Sequence, residues 1–480
     1  MLKRLTCLFL SLMILSAALL SCASGEPRHG DESRTAESGS ASDKSGTDGA
    51  SVSDPETEST AEPASEPVEL MGPPVPVYEY EYAAPEDGSF TVCGIPLSEY
   101  KAVLYFPTDA DYSLMVDEGT RMKKALKRMA ETAGFELDLS TAKNDRYDTE
   151  RKSEHEILFG YNFRREGIPE PDLKKNYYGV TEDGTVYFCA AGPLLYEDLF
   201  GMFLEEFFGV PYGSEEPSGG CAVSPFYREL PQMDAERLTA MGYSVVFEDD
   251  FDGDDLDWDV WEVRGPGPRY DYGAYVCGSQ VSVSDGLFTI TGEYREDGEY
   301  GAGLYSAFVR PKQFYCRGYF EASIRCSEMK YGSNDFWSAF WIQGPSPYSP
   351  EQSQGGIGPG GCEIDIMECW TADRYSVDFW VSGVEGVSGL SCERTDVPNL
   401  GNNYFEEFHT FALLWEEDYY WAFLDGQLVA RNAHAYGTSN VNEEVLLTLC
   451  LPQGAFPDYV PRDYKAEMVT DWIRIWQKQP

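Results

Sequence analysis

Histidine is scarce in this 480-residue chain, with four in all, and no two of its 12 cysteines form a C-x-x-C pair. A zinc site needs thiolates or imidazoles at close spacing, so that class is disfavoured. Basic residues are also few: 36 Lys and Arg stand against 82 Asp and Glu, a formal net charge of −46. Acidity of this kind, spread along the chain, opposes nucleic acid and gives no general attraction for anionic lipids or strongly sulfated polymers. A neutral partner is expected. No internal repeat is visible, and beyond the first 20 residues no run is apolar enough to span a membrane. Aromatic residues, in contrast, make up 14% and hydrophobic residues 42%, enough for large cores. The length exceeds one ordinary core, so two folded units are expected, together with a leader and a linker.

At the start, Lys3 and Arg4 precede an apolar run from Leu5 to Leu20, followed by Ser21 and Cys22. A run of about 16 residues is short of the ~20 that a spanning helix needs. Leu19-Leu20-Ser21-Cys22 resembles a bacterial lipoprotein signal over residues 1–22, in which that cysteine is lipidated. The resemblance implies a secreted protein held on the outer face of a bacterial membrane through Cys22. Export also makes disulfides possible among the later cysteines, with the connectivity open. One pair is argued against: if Cys362 and Cys369 flank a single strand, seven residues at ~3.3 Å each hold them roughly 23 Å apart. Residues 23–73 are rich in Ser, Glu, Asp and Pro, and from Ala23 to about Val68 they lack any aromatic side chain, which predicts a disordered tether.

Residues 74–235 read as a small α/β domain. A strand is expected at Ala102–Phe106, a helix from Asp117 to Ala133 capped by Gly134, and a strand at Glu156–Gly160. A hairpin about Asp183-Gly184 and a helix near Tyr196–Phe208 follow. The stretch Glu156–Arg164 and the later hairpin and helix resemble the non-catalytic α/β domain that precedes the catalytic domain in several glycoside hydrolase families. Residues 236–480 are nearly all β, with short aromatic-rich alternating stretches between Gly, Pro, Asn and Asp turns, so a two-sheet sandwich is expected.

Within that sandwich, Glu363-Ile364-Asp365-Ile366-Met367-Glu368 gathers three carboxyl groups. Hydrolysis of a glycosidic bond needs two, one protonated and one ionised. Glu363 and Asp365 share a face of a strand, but Glu368 would face away from them unless a one-residue β-bulge near Met367 turns it back. Ile364 and Ile366 would then point between the sheets. The plainer alternative is a half-exposed edge strand.

The segment resembles the E-x-D-x-x-E signature of glycoside hydrolase family 16, and its context follows that family's order. Phe247–Gly253 opens the domain; Gly318–Ala322 and Phe336–Trp341 precede the signature; Phe408–Phe411, Leu424–Gly426 and Asp471–Trp476 follow it. The resemblance implies a β-jelly roll with a concave cleft, Glu363 as nucleophile, Glu368 as general acid/base and Asp365 as an assistant between them. It implies aromatic platforms for sugar rings at Trp337, Trp341 and Trp380, with Trp337 the foremost. Phe379 departs from the pattern, since laminarinase-like relatives often carry His there. No cofactor is required, although some relatives hold a structural calcium to which Asp471 matches one contributing position.

The expected function is a retaining endo-β-glycanase, monomeric, acting on β-1,3 or mixed β-1,3-1,4 glucan. The alternatives are a family 16 enzyme for agar- or carrageenan-type galactans and a non-catalytic carbohydrate-binding surface lipoprotein.

Overall fold

A computed structural model of the chain describes residues 91–105, 112–142, 153–160, 166–169, 175–192, 195–208, 223–344, 362–371, 374–382, 390–398, 402–417, 419–432 and 438–478. The expected leader, Cys22, the tether and Tyr161–Arg164 lie outside them. By compactness the chain divides after Met71, and every described residue belongs to the unit Gly72–Pro480.

The α/β part begins with a two-strand hairpin, β1 (Thr91–Val92) and β2 (Ile95–Pro96). Its main sheet is built from β3 (Lys101–Tyr105), β4 (Asp138–Ala142), β5 (Glu156–Gly160), β6 (Tyr177–Val180), β7 (Val186–Cys189) and β8 (Phe226–Glu229). Their spatial order is β4-β3-β5-β7-β6-β8. The first four of these run parallel, and the hairpin β6–β7 and its neighbour β8 are antiparallel. Short apolar runs such as Ile157-Leu158-Phe159, buried on both faces, are what a covered parallel strand requires. Helix α1 (Tyr112–Thr132) buries Met122, Leu126 and Ala130, four residues apart on one stripe. It ends where Gly134 adopts φ +89° and Phe135 N–H returns to the Ala130 carbonyl, the left-handed stop that glycine permits. Helix α2 (Leu195–Phe208) is buried nearly all round, its carboxyls at Asp198 and Glu206 included. Its Phe200 and Phe203 meet Phe188 of the sheet edge-on, and its Asp198 pairs with Arg431 of the β-sandwich.

A short helix, α3 (Ala235–Ala240), capped by Asp234, leads from one fold to the other. The sandwich that follows has two sheets. One carries, in spatial order, β10 (Trp261–Val263), β16 (Phe308–Pro311), β25 (Glu444–Cys450), β18 (Trp337–Gln343), β19 (Glu363–Thr371), β20 (Arg374–Ser382) and β21 (Leu390–Pro398). The other carries β11 (Gly267–Tyr270), β12 (Ala274–Val276), β15 (Gly301–Ser306), β14 (Leu287–Gly298), β26 (Lys465–Lys478), β17 (Gly318–Arg325), β22 (His409–Trp415), β23 (Tyr420–Leu424) and β24 (Gln427–Asn432). Two further strands, β13 (Val281–Ser284) and β9 (Tyr243–Asp249), pair with β14 and β26. This is the mainly β, jelly-roll type of sandwich with a preceding α/β part that the sequence predicts.

Alternation along the strands builds the core. Phe340, Ile364, Val377 and Leu447 from the seven-stranded sheet meet Phe320, Phe411, Leu413 and Ile473 from the larger one. The outer face of the larger sheet is apolar too, because the α/β part covers it. Tyr319, Leu414, Trp421, Phe423 and Trp476 share one buried cluster with Leu199, Met233 and Leu238. Hydrogen bonds to main-chain carbonyls fix the seam: Met233 N–H donates to the Gly426 carbonyl at 2.8 Å, and the side-chain Nδ2 of Asn176 to the Leu428 carbonyl at 2.8 Å. The two parts therefore form one body, with the outer face of the seven-stranded sheet on the opposite side. The described cysteines are all free thiols, Cys362 and Cys369 included, so the disulfides that export would permit are not formed among the described residues.

Candidate active site

The three acidic residues of β19 reach one face through a break in its register. Phe340 pairs with Met367 and Trp341 with Asp365, leaving Ile366 without an opposite number on β18. On the other side, Asp365 faces Asp378 and Glu368 faces Ser376, so three residues of β19 span two of β20. This is a β-bulge, one residue before the expected Met367. Ile366 and Met367 consequently both enter the core, with Ile364 and Cys369, and the alternation inverts after them. Glu363, Asp365, Glu368 and Trp370 emerge on the outer face.

Each carboxyl has its own donors. Gln343 Nε2 donates to Glu363 Oε2 at 2.7 Å, and Arg264 in turn bonds Gln343 Oε1 and pairs with Glu444 at 2.9 Å. Trp380 Nε1 donates to Asp365 Oδ2 at 3.1 Å. Glu368 is gripped from two sides, by Trp337 Nε1 on Oε1 at 3.2 Å and Trp370 Nε1 on Oε2 at 3.1 Å. Asp365 is buried, whereas Glu363 and Glu368 are half-buried.

Desolvation raises the proton affinity of all three. Glu363 is pushed up to about 7 by burial, moderated by the Gln343 bond and the Arg264 charge. Glu368 is pushed up to about 8 by burial and by the Asp378 charge, with Arg394 and the Trp337 bond acting the other way. Asp365 is raised well above the usual carboxylate range by burial and then by Glu368, Glu363 and Asp378. The cluster thus holds protons near neutral pH and titrates as one coupled unit.

All three tryptophans expected from the sequence lie on this face, but they serve largely through their edges. Trp337 and Trp380 use their N–H groups on carboxylates, and Trp341 Nε1 donates to Thr448 Oγ1 at 3.1 Å beneath the Arg264 guanidinium. One ring face of Trp337 is covered by Trp370, stacked at 4.3 Å, and Trp370 is the more exposed of the two. Phe379 points into the core, stacked on Tyr420, so the outward positions of its strand are Asp378 and Trp380. His409 is occupied in a turn: its Nδ1 meets Asp425 Oδ2 at 2.8 Å, and Asp425 and Gly426 both hold positive φ, as a tight hairpin needs.

Among the partners not foreseen from the sequence are Trp370, Gln343, Asp378 and Arg394. Trp370 was within reach, since it stands two residues after Glu368 and shares its face by simple alternation. The other three come from neighbouring strands and depend on register. As to a metal, the described residues bring three acidic, His or Cys ligand atoms together only at Asp365, Glu368 and Asp378. Asp471 belongs to no such group of side chains, and a calcium ion also takes main-chain carbonyls and waters.

The part of the chain that carries this site is similar to known proteins. Residues 272–444 match the model of glycosyl hydrolases family 16. A protein named Beta-glucanase from Acetivibrio thermocellus is 30% identical over 225 residues, covering 46% of this chain and 55% of its own length. A second Beta-glucanase from that organism is 29% identical over 224 residues, with the same two shares. The chain therefore spans about half the length of the relatives it matches. Among solved structures, LamAcat from Zobellia galactanivorans is 20% identical with a TM-score of 0.41, over 50% of this chain and 99% of that one. The laminarinase catalytic domain from Thermotoga maritima is likewise 20% identical with a TM-score of 0.39, over the same shares.

Proposed function

We propose that the chain is a retaining β-glycan hydrolase in which Glu363 is the nucleophile and Glu368 the general acid/base. The supporting observation is the order of the two glutamates on one face. Gln343 and Arg264 favour the ionised form of Glu363 and Asp378 favours the protonated form of both, so the roles follow the E-x-D-x-x-E signature, with the two glutamates on one face as double displacement requires. In the first step Glu363 attacks the anomeric carbon as the glycosidic C–O bond breaks, and the Glu368 proton passes to the leaving oxygen. In the second, water attacks the same carbon, gives its proton to Glu368, and Glu363 departs as carboxylate. Asp365 lies between the two in sequence and holds a proton that they can share.

For substrate, a neutral polymer agrees with the net charge of −46, a β-glucan agrees with the name Beta-glucanase of the relatives, and β-1,3 or mixed β-1,3-1,4 linkage is what the resemblance to family 16 implies. A galactan of the agar or carrageenan type is the competing substrate. The protein acts at the cell surface, tethered through a lipid on Cys22.

The test is hydrolysis of purified β-glucans, xyloglucan, agar and carrageenan, with the released reducing ends followed by NMR. The β-anomer should appear first; initial α-anomer would remove Glu363 as nucleophile. Glu368→Ala should lose polysaccharide hydrolysis far more than that of an activated aryl glycoside, and azide should restore turnover as the β-glycosyl azide. No turnover on any substrate, with sugar binding retained, would make the chain a binding protein.

A further inference from the structure

Beside the three carboxyls of β19 stands a fourth that neither strand alternation nor the proposed chemistry assigns. Asp378 is fully buried on β20, directly opposite Asp365, and one of its oxygens lies within 4.8 Å of one oxygen each of Asp365 and Glu368. From β21, in register with it, Arg394 Nε reaches both of its oxygens at 2.8 and 3.0 Å, and Ser376 Oγ donates to Oδ2 at 3.2 Å. A buried carboxyl with so complete a set of donors is paired and immobile.

The pair is electrically lopsided as Glu368 sees it. Asp378 is inside the protein, where its field is little screened, whereas the Arg394 side chain is 39% exposed and its charge is shared with solvent. We propose that Asp378, fixed by Arg394, is a positioning residue that holds the proton on Glu368 through the resting state, so that the acid is loaded when substrate arrives. The inference rests on the acid/base reading of Glu368. The other groups facing Glu368 are Glu363 and Asp365 on its own strand, Cys392 on β21, Cys450 on β25, and the Trp337 and Trp370 N–H donors. The two indoles favour the ionised form, and among the acidic neighbours Asp378 has the largest effect.

The experiment compares the full chain with Asp378→Asn and with Asp378→Asn/Arg394→Gln. The double variant leaves no unpaired buried charge, so it should fold even if the single variant does not. Two readouts are needed: the pH profile of kcat/KM on polysaccharide, and the infrared titration of the Glu368 carboxyl, assigned by its loss in Glu368→Gln. In the single variant the alkaline limb and the Glu368 titration should move down together by a pH unit or more, and in the double variant, which also removes the opposing Arg394 charge, in the same direction by less. At pH 8 kcat should fall about tenfold while KM holds. A Glu368 titration unmoved in the folded double variant would overturn the proposal and leave the pair purely structural. Because that titration needs no turnover, it remains decisive even if no polysaccharide is cleaved and the proposed function fails.

Discussion

Removing the α/β part should cost the sandwich its solubility before it costs anything in chemistry. A fragment of residues 242–480 would uncover Tyr319, Leu414, Trp421, Phe423 and Trp476, all now buried in the shared cluster. At about 1.5–3 kcal/mol for each large side chain taken from water, five of them represent roughly 7–15 kcal/mol of burial. That is comparable with the whole stability of an ordinary domain, about 5–15 kcal/mol. The fragment is therefore expected to bind a hydrophobic dye, to elute as aggregate in size-exclusion chromatography, and to lose a sharp melting transition. A gentler perturbation is Gly192→Ala. A β-carbon there would stand 1.9 Å from the Val429 carbonyl oxygen, so α2 and its strands would have to lift off β24. Its melting temperature should fall by several degrees while the activity per folded molecule holds, because the acidic face belongs to the other sheet. A monomeric fragment melting as sharply and as high as the full chain would refute this account of the seam.

Trp370→Phe keeps an aromatic ring over Trp337 but deletes one of the two donors that orient Glu368. It should lower kcat about tenfold on polysaccharide and much less on an activated aryl glycoside; an equal loss on both would mean that Trp370 acts through binding. Stability should fall as pH rises from about 5 to 8. Glu363, Asp365, Glu368 and Glu443 hold protons in the folded chain at pH values where the unfolded chain has released them, so folding is most favoured below their ordinary values. Glu443→Gln should flatten that decline in a melting series, by on the order of a few kcal/mol at pH 8. The lipid anchor is tested by detergent phase partitioning, in which Cys22→Ser should release the protein from the detergent phase; a wild type that stays wholly aqueous after signal removal would end that reading.

Much of the architecture was legible in the sequence because it rests on local rules. The apolar spacing of α1, its glycine stop, the Asp183-Gly184 hairpin and the alternation of the sandwich strands all report on short windows of chain. The bulge was legible for a subtler reason: three carboxyls could share a face only if β19 broke its alternation, so chemistry constrained geometry. What escaped were relations across strands. That Asp378 faces Asp365, and that Arg394 faces Asp378, follows from pairings between segments 13 and 16 residues apart, which no periodicity reveals. The edge-on use of Trp337 and Trp380 escaped likewise, since a tryptophan reads the same in sequence whether it offers its face to a sugar or its N–H to a carboxylate. The apolar outer face of the larger sheet looked like ordinary strand alternation until its cover was seen.

That cover also decides how traffic reaches the molecule. The chain enters the described structure at Thr91, within the α/β part, and this part occupies the sheet opposite the carboxyl-bearing one. A long polymer laid across the acidic face would therefore meet no part of the α/β fold. The same arrangement predicts that a bulk inserted at the exposed β1–β2 turn will be better tolerated by turnover on long chains than an equal bulk inserted at the β19–β20 turn.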